Sequence, residues 1–247
     1  MYHFFVPQSQ IGPEEIVITG SDVNHIKNVL RMKAGEQIAV GNGQDRDYLC
    51  EIQTITADSV TASILSEEEV TELPAKPYLF QGLPKRDKME LIIQKAVELG
   101  VYQIIPVATK RTVVKLDAKK EAARVKRWNM IAESAAKQSQ RVMIPEVTGV
   151  MTLPEALDYA DGFDCNLIPY ENAEGMRASR KLMESIKPGM SAGIFIGPEG
   201  GFEYAEVELA ESRGLRQISL GKRILRTETA GLTALAILSF QLECEGE

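Results

Sequence analysis

Two glycine-containing loops are the segments of this sequence best suited to bind a ligand, and each follows an apolar run. Residues 197–202 (GPEGGF) come directly after residues 194–196 (IFI). Three glycines in five residues let the backbone turn with positive φ and let a ligand approach the main chain closely. An ordinary strand-to-helix turn needs only one glycine, so the composition favours a binding loop.

The second loop, residues 221–230 (GKRILRTETA), follows residues 218–220 (ISL). It carries Ile224 and Leu225 between cations, which is unusual for a solvated surface. Such a loop suits a pocket that holds an apolar ring by van der Waals contact and backbone hydrogen bonds. Two alternatives stay open: Ile224 and Leu225 pack in the core, or Arg226 and Glu228 form an ion pair at a helix start.

Positive charge is concentrated in one part of an acidic chain. The 247 residues have a formal net charge of −7, yet residues 81–145 hold 14 of the 28 Lys and Arg against 6 of the 35 Asp and Glu. Clustered cations are typical of proteins that contact phosphates, whatever the total charge. The alternative is a solvated helix face, and charge alone does not decide between the two.

Several common site signatures are absent. The sequence has no dinucleotide-binding G-x-G-x-x-G, no phosphate-binding G-x-x-x-x-G-K-[ST] and no G-x-S-x-G nucleophile elbow. Two histidines and three widely spaced cysteines make a metal site or a disulfide framework improbable, and they favour a reducing, cytoplasmic location. We expect neither a signal peptide nor a membrane span, since no apolar stretch approaches about 20 residues.

The pattern of elements changes near residue 72. Residues 1–72 are β-rich, with strands over 16–18, 37–40, 48–55 and 59–65 and a helix over 23–30 capped by Ser21 or Asp22. The acidic, proline-punctuated residues 66–77 indicate a linker. Strands and helices then alternate, which predicts a parallel sheet with ligands at its carboxyl ends. The predicted strands are 78–81, 102–107, 164–168, 192–196 and 217–220, and the helices 85–99, 118–138, 152–160, 173–186, 204–213 and 228–242.

Taken with five further segments, the two loops resemble the RsmE family of ribosomal RNA methyltransferases, which belongs to the SPOUT class. The further segments follow one another in family order and extend over nearly the whole chain: residues 25–31 (HIKNVLR), 88–90 (KME), 94–101 (QKAVELGV), 133–141 (ESAAKQSQR) and 144–145 (IP). The N-terminus departs from the family, which often carries an early arginine where this chain reads YHFF.

The resemblance implies an α/β protein of two domains: a PUA-like RNA-binding β-barrel over residues 1–72, a linker over 73–77, and an α/β trefoil-knot domain over 78–247. It implies S-adenosylmethionine-dependent methylation of N3 of a uridine in 16S ribosomal RNA, within the small ribosomal subunit, by a cytoplasmic homodimer without metal. The C-terminal helix, apolar around most of its circumference, supports the dimer.

The resemblance and the loops together give the expected site. The cofactor-binding residues are expected to be Ile168, Pro169, Tyr170, Ile196, Gly197, Pro198, Glu199, Gly200, Leu220, Gly221, Ile224, Leu225 and Thr229, with residues 167–171 as a third wall. The RNA-binding residues are expected to be Lys27, Arg31, Lys85, Arg86, Lys88, Arg111, Lys137 and Arg141.

Methyl transfer to a uridine N3 would also need catalytic groups. The nitrogen carries a proton at neutral pH, and a nearby cation favours its loss by stabilising the negative charge that develops. We expect Arg226 to supply that cation, with Glu228 as a base or as the group that orients Arg226.

Three other functions stay open. The chain could be a non-catalytic RNA-binding ribosome assembly factor, although both glycine loops are intact. It could also be a SPOUT methyltransferase acting on another RNA base. Finally, it could be an open-sheet enzyme acting on a small metabolite, whose activity would involve no salt-dependent RNA binding.

Overall fold

The computed structural model describes residues 1–113, 117–170 and 175–244. Its chain divides into two compact units, residues 1–72 with 136–144 and residues 73–135 with 145–247. The linker predicted over 73–77 includes Lys76 and Pro77, which already belong to a strand of the second unit.

The first unit contains a five-stranded sheet with the order β1-β3-β4-β5-β2, in which only the β1–β3 pair is parallel. Its strands are β1 (His3–Phe5), β2 (Glu15–Thr19), β3 (Gln37–Gly41), β4 (Asp47–Ile55) and β5 (Ser59–Glu67). Four of them match predicted strands. The three-residue β1 has no turn signal or alternation that would have revealed it.

Period-two alternation places the core of this unit on one face of the sheet. The central strands bury one set of alternating apolar residues completely, with Ile38, Val40, Ile52 and Val60 all at 0% exposure. The helix α1 (Ser21–Asn24) continues into a π-helical turn (His25–Val29) and buries Val23 and Ile26. Its predicted cap is wrong: Gly20 precedes the helix, with φ 80°, and no side chain caps it.

Residues 136–144 belong to the first unit although they are distant from it in sequence. Arg141 is buried there and bonds the carboxylate of Glu72 through Nε and Nη2, while the N–H of Met143 donates to the same carboxylate at 3.1 Å. Lys137 lies 3.3 Å from Asp22. These pairs fix the C-terminal end of helix α3 (Ala118–Ser139) and the segment after it to the first unit.

The second unit contains a parallel sheet with the order β12-β10-β11-β6-β7-β8, and β9 also pairs with β7. Its strands are β6 (Lys76–Gly82), β7 (Gln103–Ala108), β8 (Glu146–Val147), β9 (Met151–Thr152), β10 (Cys165–Pro169), β11 (Ser191–Ile196) and β12 (Arg216–Ile218). Its helices besides α3 are α2 (Lys88–Glu98), α4 (Leu153–Tyr159), α5 (Met176–Glu184), α6 (Tyr204–Ser212) and α7 (Thr227–Cys244).

Local signals explain where several helices begin. Thr152 caps α4 in a capping box with Glu155, and Glu203 caps α6 in the same way with Glu206. Helix α2 begins three residues later than predicted, because residues up to Asp87 form a turn in which Arg86 has φ 57°. The predicted start of α5 at residue 173 lies outside the described residues.

The apolar strands bring four carboxyl ends to one edge of this sheet. β11 is buried along residues 192–196, and Phe195 stacks on Phe80 of β6 with ring centroids 4.0 Å apart. Neighbouring β12, β10, β11 and β6 therefore end side by side, and both glycine loops emerge there. Within the described part of the chain, no helix is long and apolar enough to cross a membrane. The trefoil knot stays a prediction.

Candidate functional site

Three loops that follow adjacent parallel strands form the candidate site. Residues 168–170 end and follow β10, residues 196–201 end and follow β11, and residues 219–226 connect β12 to α7. The structure brings all the predicted cofactor residues to this edge; of the predicted third wall, Glu171 lies outside the described residues. The N–H of Tyr170 donates to Ile218 O at 3.0 Å, which links the first of these loops to β12.

The glycine loop after β11 is a tight turn that needs its glycines. The N–H of Gly201 donates to Pro198 O at 2.8 Å, and Gly201 has φ 67°. A Cβ on Gly197 would lie 2.9 Å from the carbonyl carbon of Gly201, so a side chain there would force the backbone apart. The Arg111 side chain packs on this loop, because its Nη1 donates to Gly200 O at 2.6 Å.

The loop before α7 exposes apolar side chains. Ile224 is 92% exposed, and Leu225 is half-buried. The alternative that Ile224 packs in the core is therefore wrong. Gly221 adopts φ 115°, and a Cβ there would meet no atom within 4 Å, so the backbone stays accessible at this point. An exposed isoleucine beside accessible backbone is suited to contact an apolar ring.

Arg226 and Glu228 differ in their surroundings. Arg226 is exposed, and its side chain makes no hydrogen bond or ion pair with any described residue. Glu228 accepts a hydrogen bond from Lys88 Nζ at 3.1 Å, and Arg226 only adds a weaker electrostatic attraction that helps to lower the pKa of Glu228, so the two do not form a close ion pair in this structure. The Arg226 guanidinium is left available for a ligand.

The pKa of Glu228 follows from this arrangement. Burial acts to raise it, but the hydrogen bond from its own backbone N–H and the Lys88 ammonium outweigh burial and hold the pKa below its usual value. A carboxylate with a lowered pKa is ionised at neutral pH and is a weak proton acceptor. The geometry therefore supports Glu228 as an anchor for Lys88 more strongly than as a general base.

Lys88 also joins the glycine loop, since its Nζ lies 3.3 Å from Glu199 Oε1. The backbone N–H of Lys85 donates to the same carboxylate at 3.0 Å. Burial acts to raise the pKa of Glu199, and these groups together with its own N–H lower it overall. Hydrogen bonding to Glu228, against desolvation, raises the pKa of Lys88. The ammonium thus links the glycine loop to the first turn of α7.

Sequence reasoning missed three residues beneath these loops. Gln81 is completely buried at the end of β6, and its Nε2 donates to Thr227 Oγ1 at 2.8 Å. A Cβ on Gly82 would lie 2.6 Å from Pro198 N, so the strand and the loop are in direct contact. The available signal was a glutamine and a glycine at the end of an otherwise apolar strand.

The predicted RNA-binding residues divide into exposed and paired groups. Lys27 and Arg31 in the first unit and Lys85 and Arg86 in the second have exposed side chains, and of these Lys27 Nζ donates to Thr56 O at 3.3 Å. The other four have protein partners described above. For Lys88, Lys137 and Arg141 those partners are carboxylates, and for Arg111 the partner is the Gly200 carbonyl. Arg141 is only 5% exposed, so a direct role in RNA binding is wrong for this residue.

The chain is similar to known proteins over nearly its whole length. Residues 71–239 match the RNA methyltransferase domain family, and residues 18–65 match the RNA methyltransferase PUA domain family. These matches confirm the predicted PUA-like domain and the α/β methyltransferase domain. Among the described residues, no group of three or more His, Cys, Asp or Glu is arranged to hold a metal ion.

Relatives with an assigned name agree with these domains. The chain is 41% identical to the ribosomal RNA small subunit methyltransferase E of Bacillus subtilis, with 98% of each chain covered. It is 36% identical to the protein of the same name from Mesomycoplasma hyopneumoniae, covering 95% of this chain and 97% of that one. The crystal structure of the Neisseria gonorrhoeae ribosomal RNA small subunit methyltransferase E bound to S-adenosylmethionine superposes with a TM-score of 0.85, at 32% identity and with 97% of each chain covered. The chain therefore belongs to the ribosomal RNA small subunit methyltransferase E (RsmE) family.

Proposed function

We propose that this protein transfers a methyl group from S-adenosylmethionine to N3 of a uridine in 16S ribosomal RNA. The observation that carries the proposal is the meeting of three loops at adjacent carboxyl ends of a parallel sheet, with an unpaired arginine at their border. The relatives named for small-subunit RNA methylation, and the one bound to S-adenosylmethionine, support it. A ribosomal substrate also implies a cytoplasmic location.

The residues present fit S-adenosylmethionine. The tight contacts at Gly82 and Gly197 hold the glycine loop close against the end of β6, and accessible backbone follows at residues 201 and 221, where a Cβ would meet no atom within 4 Å. Ile168, Ile224 and Leu225 would contact the adenine ring, and the backbone of residues 197–201 would hold the polar groups. When bound, this cofactor supplies an electrophilic methyl group on a sulfonium.

The protein's own contribution is orientation and charge. The uridine N3 must lose its proton, and the exposed Arg226 guanidinium would stabilise the negative charge that then spreads over the ring. Glu228, with its lowered pKa, would hold Lys88 and leave the proton to solvent. The loops would keep the reacting groups in line, which is the main requirement of a displacement at carbon.

The exposed cations would bind the RNA backbone. Lys27 and Arg31 offer positive charge on the first unit, where residues 1–75 hold only 4 basic residues, these two included, against 12 acidic residues. Lys85 and Arg86 offer it on the second unit, next to the glycine loop. Phosphate contacts by such residues release counterions, so binding should weaken as salt concentration rises.

We also propose that the protein is a homodimer. The support is helix α7, which buries Ala234, Leu235 and Leu238 on one face and exposes Ile237 and Phe240 (42% and 72%) on another. A soluble helix that is apolar on two faces favours a covering partner on the second. Sedimentation at micromolar concentration tests this, and a stable, active monomer would refute it.

A methyl-transfer assay distinguishes the proposed function from the alternative functions. Labelled S-adenosylmethionine is incubated with the protein and either naked 16S RNA or small subunits that lack the modification, and label in RNA is counted. An assembly factor would give no transfer, and calorimetry would show whether it had lost cofactor binding. An enzyme acting on a small metabolite would show no salt-dependent RNA binding.

A further inference from the structure

A chain of buried hydrogen bonds connects three segments of the second unit beneath the candidate site. Gln81 Nε2 donates to Thr227 Oγ1 at 2.8 Å, and Thr227 Oγ1 donates to the carbonyl of Gly197 at 2.6 Å. Gln81 is 0% exposed and Thr227 is 6% exposed. The chain therefore runs from the end of β6 through the first residue of α7 to the first residue of the glycine loop.

The direction of these bonds follows from the chemistry of a hydroxyl. A threonine Oγ has one proton to donate and lone pairs that accept. Since the Gly197 carbonyl can only accept, Thr227 must donate to it and accept from the Gln81 amide. Gln81 also donates to Gly82 O at 2.9 Å, which fixes its amide orientation.

The bonds of Thr227, the first residue of α7, join segments that are distant in sequence. Threonine hydroxyls commonly bond backbone groups only a few residues away. Here the hydroxyl instead bonds a residue 30 positions away, and its amide donor is 146 positions away. Buried polar bonds of this kind are costly to leave half-made, so they specify one arrangement of the segments they join.

A second connection between the same segments lies nearer the surface. The Lys88 ammonium contacts Glu199 of the glycine loop and Glu228 of α7, at 3.3 and 3.1 Å. Thr227 and Glu228 directly follow Arg226, so both connections end beside that arginine. The glycine loop and Arg226 cannot shift independently while the two connections persist.

We propose that Thr227, held by Gln81, is a positioning residue that couples the glycine loop to Arg226. The hydroxyl sets the position of the Gly197 carbonyl, and with it the loop that would hold the cofactor, relative to the guanidinium that would face the uridine. The roles of the glycine loop and Arg226 in this inference rest on the proposed function. The coupling between them rests on the hydrogen bonds of the structure alone.

The test compares Thr227→Val, which keeps the shape and removes the hydroxyl, with Thr227→Ser, which keeps the hydroxyl. Hydrogen exchange of the backbone amides of residues 197 and 199–203 is measured first, without any ligand. We expect exchange to be at least about tenfold faster in Thr227→Val than in Thr227→Ser or the wild type, while the amides of β7 are unchanged. Equal loop exchange in the two variants would overturn the proposal.

Two further measurements use the ligands. Thr227→Val should weaken S-adenosylmethionine binding and lower kcat at saturating cofactor, each by at least about tenfold, and Thr227→Ser should restore both to within about threefold. Values for Thr227→Val within threefold of the wild type would contradict the coupling. Thr233→Val, further along the same helix, is the matched control and should change neither.

Gln81→Met provides the second route to the same result. It removes the amide and keeps a similar length, so the loop amides should exchange as fast as in Thr227→Val. In the double variant, Gln81→Met with Thr227→Val, they should exchange little faster than in either single variant. Additive effects would overturn the proposal. A wild type that binds S-adenosylmethionine but methylates no RNA would refute the proposed function, while loop exchange and cofactor affinity would still decide the coupling.

Discussion

The contact between Gly82 and the glycine loop gives a prediction with a calculable strain. In Gly82→Ala the new Cβ would lie 2.6 Å from Pro198 N, 2.7 Å from Pro198 Cδ and 2.8 Å from Gly197 C. Two of these atoms belong to the backbone, so no side-chain rotation relieves the clash. Ordinary contact begins at 3.4 Å, and the closest pair must therefore separate by about 0.8 Å.

We expect the strain in Gly82→Ala to displace the glycine loop and to leave the sheet in place. Strands β6 and β11 are paired over six residues and are buried, whereas Gly200 at the loop tip is exposed. Overpacking of this kind costs about 1–3 kcal/mol. If the loop must return to its original position to bind S-adenosylmethionine, the same free energy is lost from binding, which corresponds to roughly a 5- to 150-fold weaker affinity.

Stability should change much less than affinity. Replacing a strand glycine by alanine recovers about 0.5–1 kcal/mol of backbone entropy, which offsets part of the strain. The assay is calorimetric titration with S-adenosylmethionine, with thermal unfolding in parallel. Gly149→Ala is the matched control, because its Cβ would meet only Glu121 Oε1 at an ordinary 3.6 Å.

Two results would contradict the prediction for Gly82→Ala. Unchanged cofactor affinity in Gly82→Ala with a clear loss of stability would mean that the sheet absorbs the strain and that the loop position does not matter for binding. An equal loss of affinity in Gly149→Ala would mean that the effect is not local to the loop.

Three other predictions test the remaining parts of the account. Arg226→Ala should lower kcat by about 100-fold or more, as loss of a charge-stabilising donor does, whereas Glu228→Gln should leave the neutral pH profile of kcat unchanged. Because its pKa is lowered, Glu228 stays ionised until the pH falls below the ordinary carboxyl value of 4.5, and its pairing with Lys88 is lost only there. If kcat of the wild type depends on pH near neutrality and Glu228→Gln lacks that dependence, Glu228 is the general base. Lys85→Glu with Arg86→Glu should weaken RNA binding and lower the slope of log affinity against log salt by about 2, without changing cofactor affinity; the opposite pattern would show that these cations belong to the cofactor site. Phe240→Glu should convert the dimer to a monomer in sedimentation, and an unchanged dimer would remove α7 from the interface.

Local patterns in the sequence were sufficient to find the loops. Apolar runs that end in GPEGGF and GKRILR mark two strand ends, and strand–helix alternation predicts that such ends share one edge of a parallel sheet. The strand order that makes β10, β11 and β12 neighbours does not follow from these patterns. It is set by long-range packing, which no local period encodes.

Charged residues were the least predictable part of the site. Lys88, Lys137 and Arg141 have the same residue types and spacing as solvated helix cations, and their carboxylate partners are distant in sequence. Arg141 and Glu72, for example, are 69 positions apart. Only the fold shows that these cations are paired, and it also assigns residues 136–144 to the first unit.

The buried positions of Gln81 and Thr227 were equally hidden. A glutamine at a strand end and a threonine at a helix start are both common on protein surfaces. Their role depends on β6, the glycine loop and α7 meeting at one point. The sequence indicated that something binds at this edge of the sheet, and the structure shows which side chains hold it in place.

The central claim is that this protein methylates N3 of a uridine in 16S ribosomal RNA. The most direct measurement is to methylate small ribosomal subunits that lack the modification, digest the RNA to nucleosides, and identify the labelled nucleoside by chromatography and mass spectrometry. We expect 3-methyluridine, formed by the wild type and lost in Arg226→Ala. Label in any other nucleoside, or no label in RNA from a protein that binds S-adenosylmethionine, would contradict it.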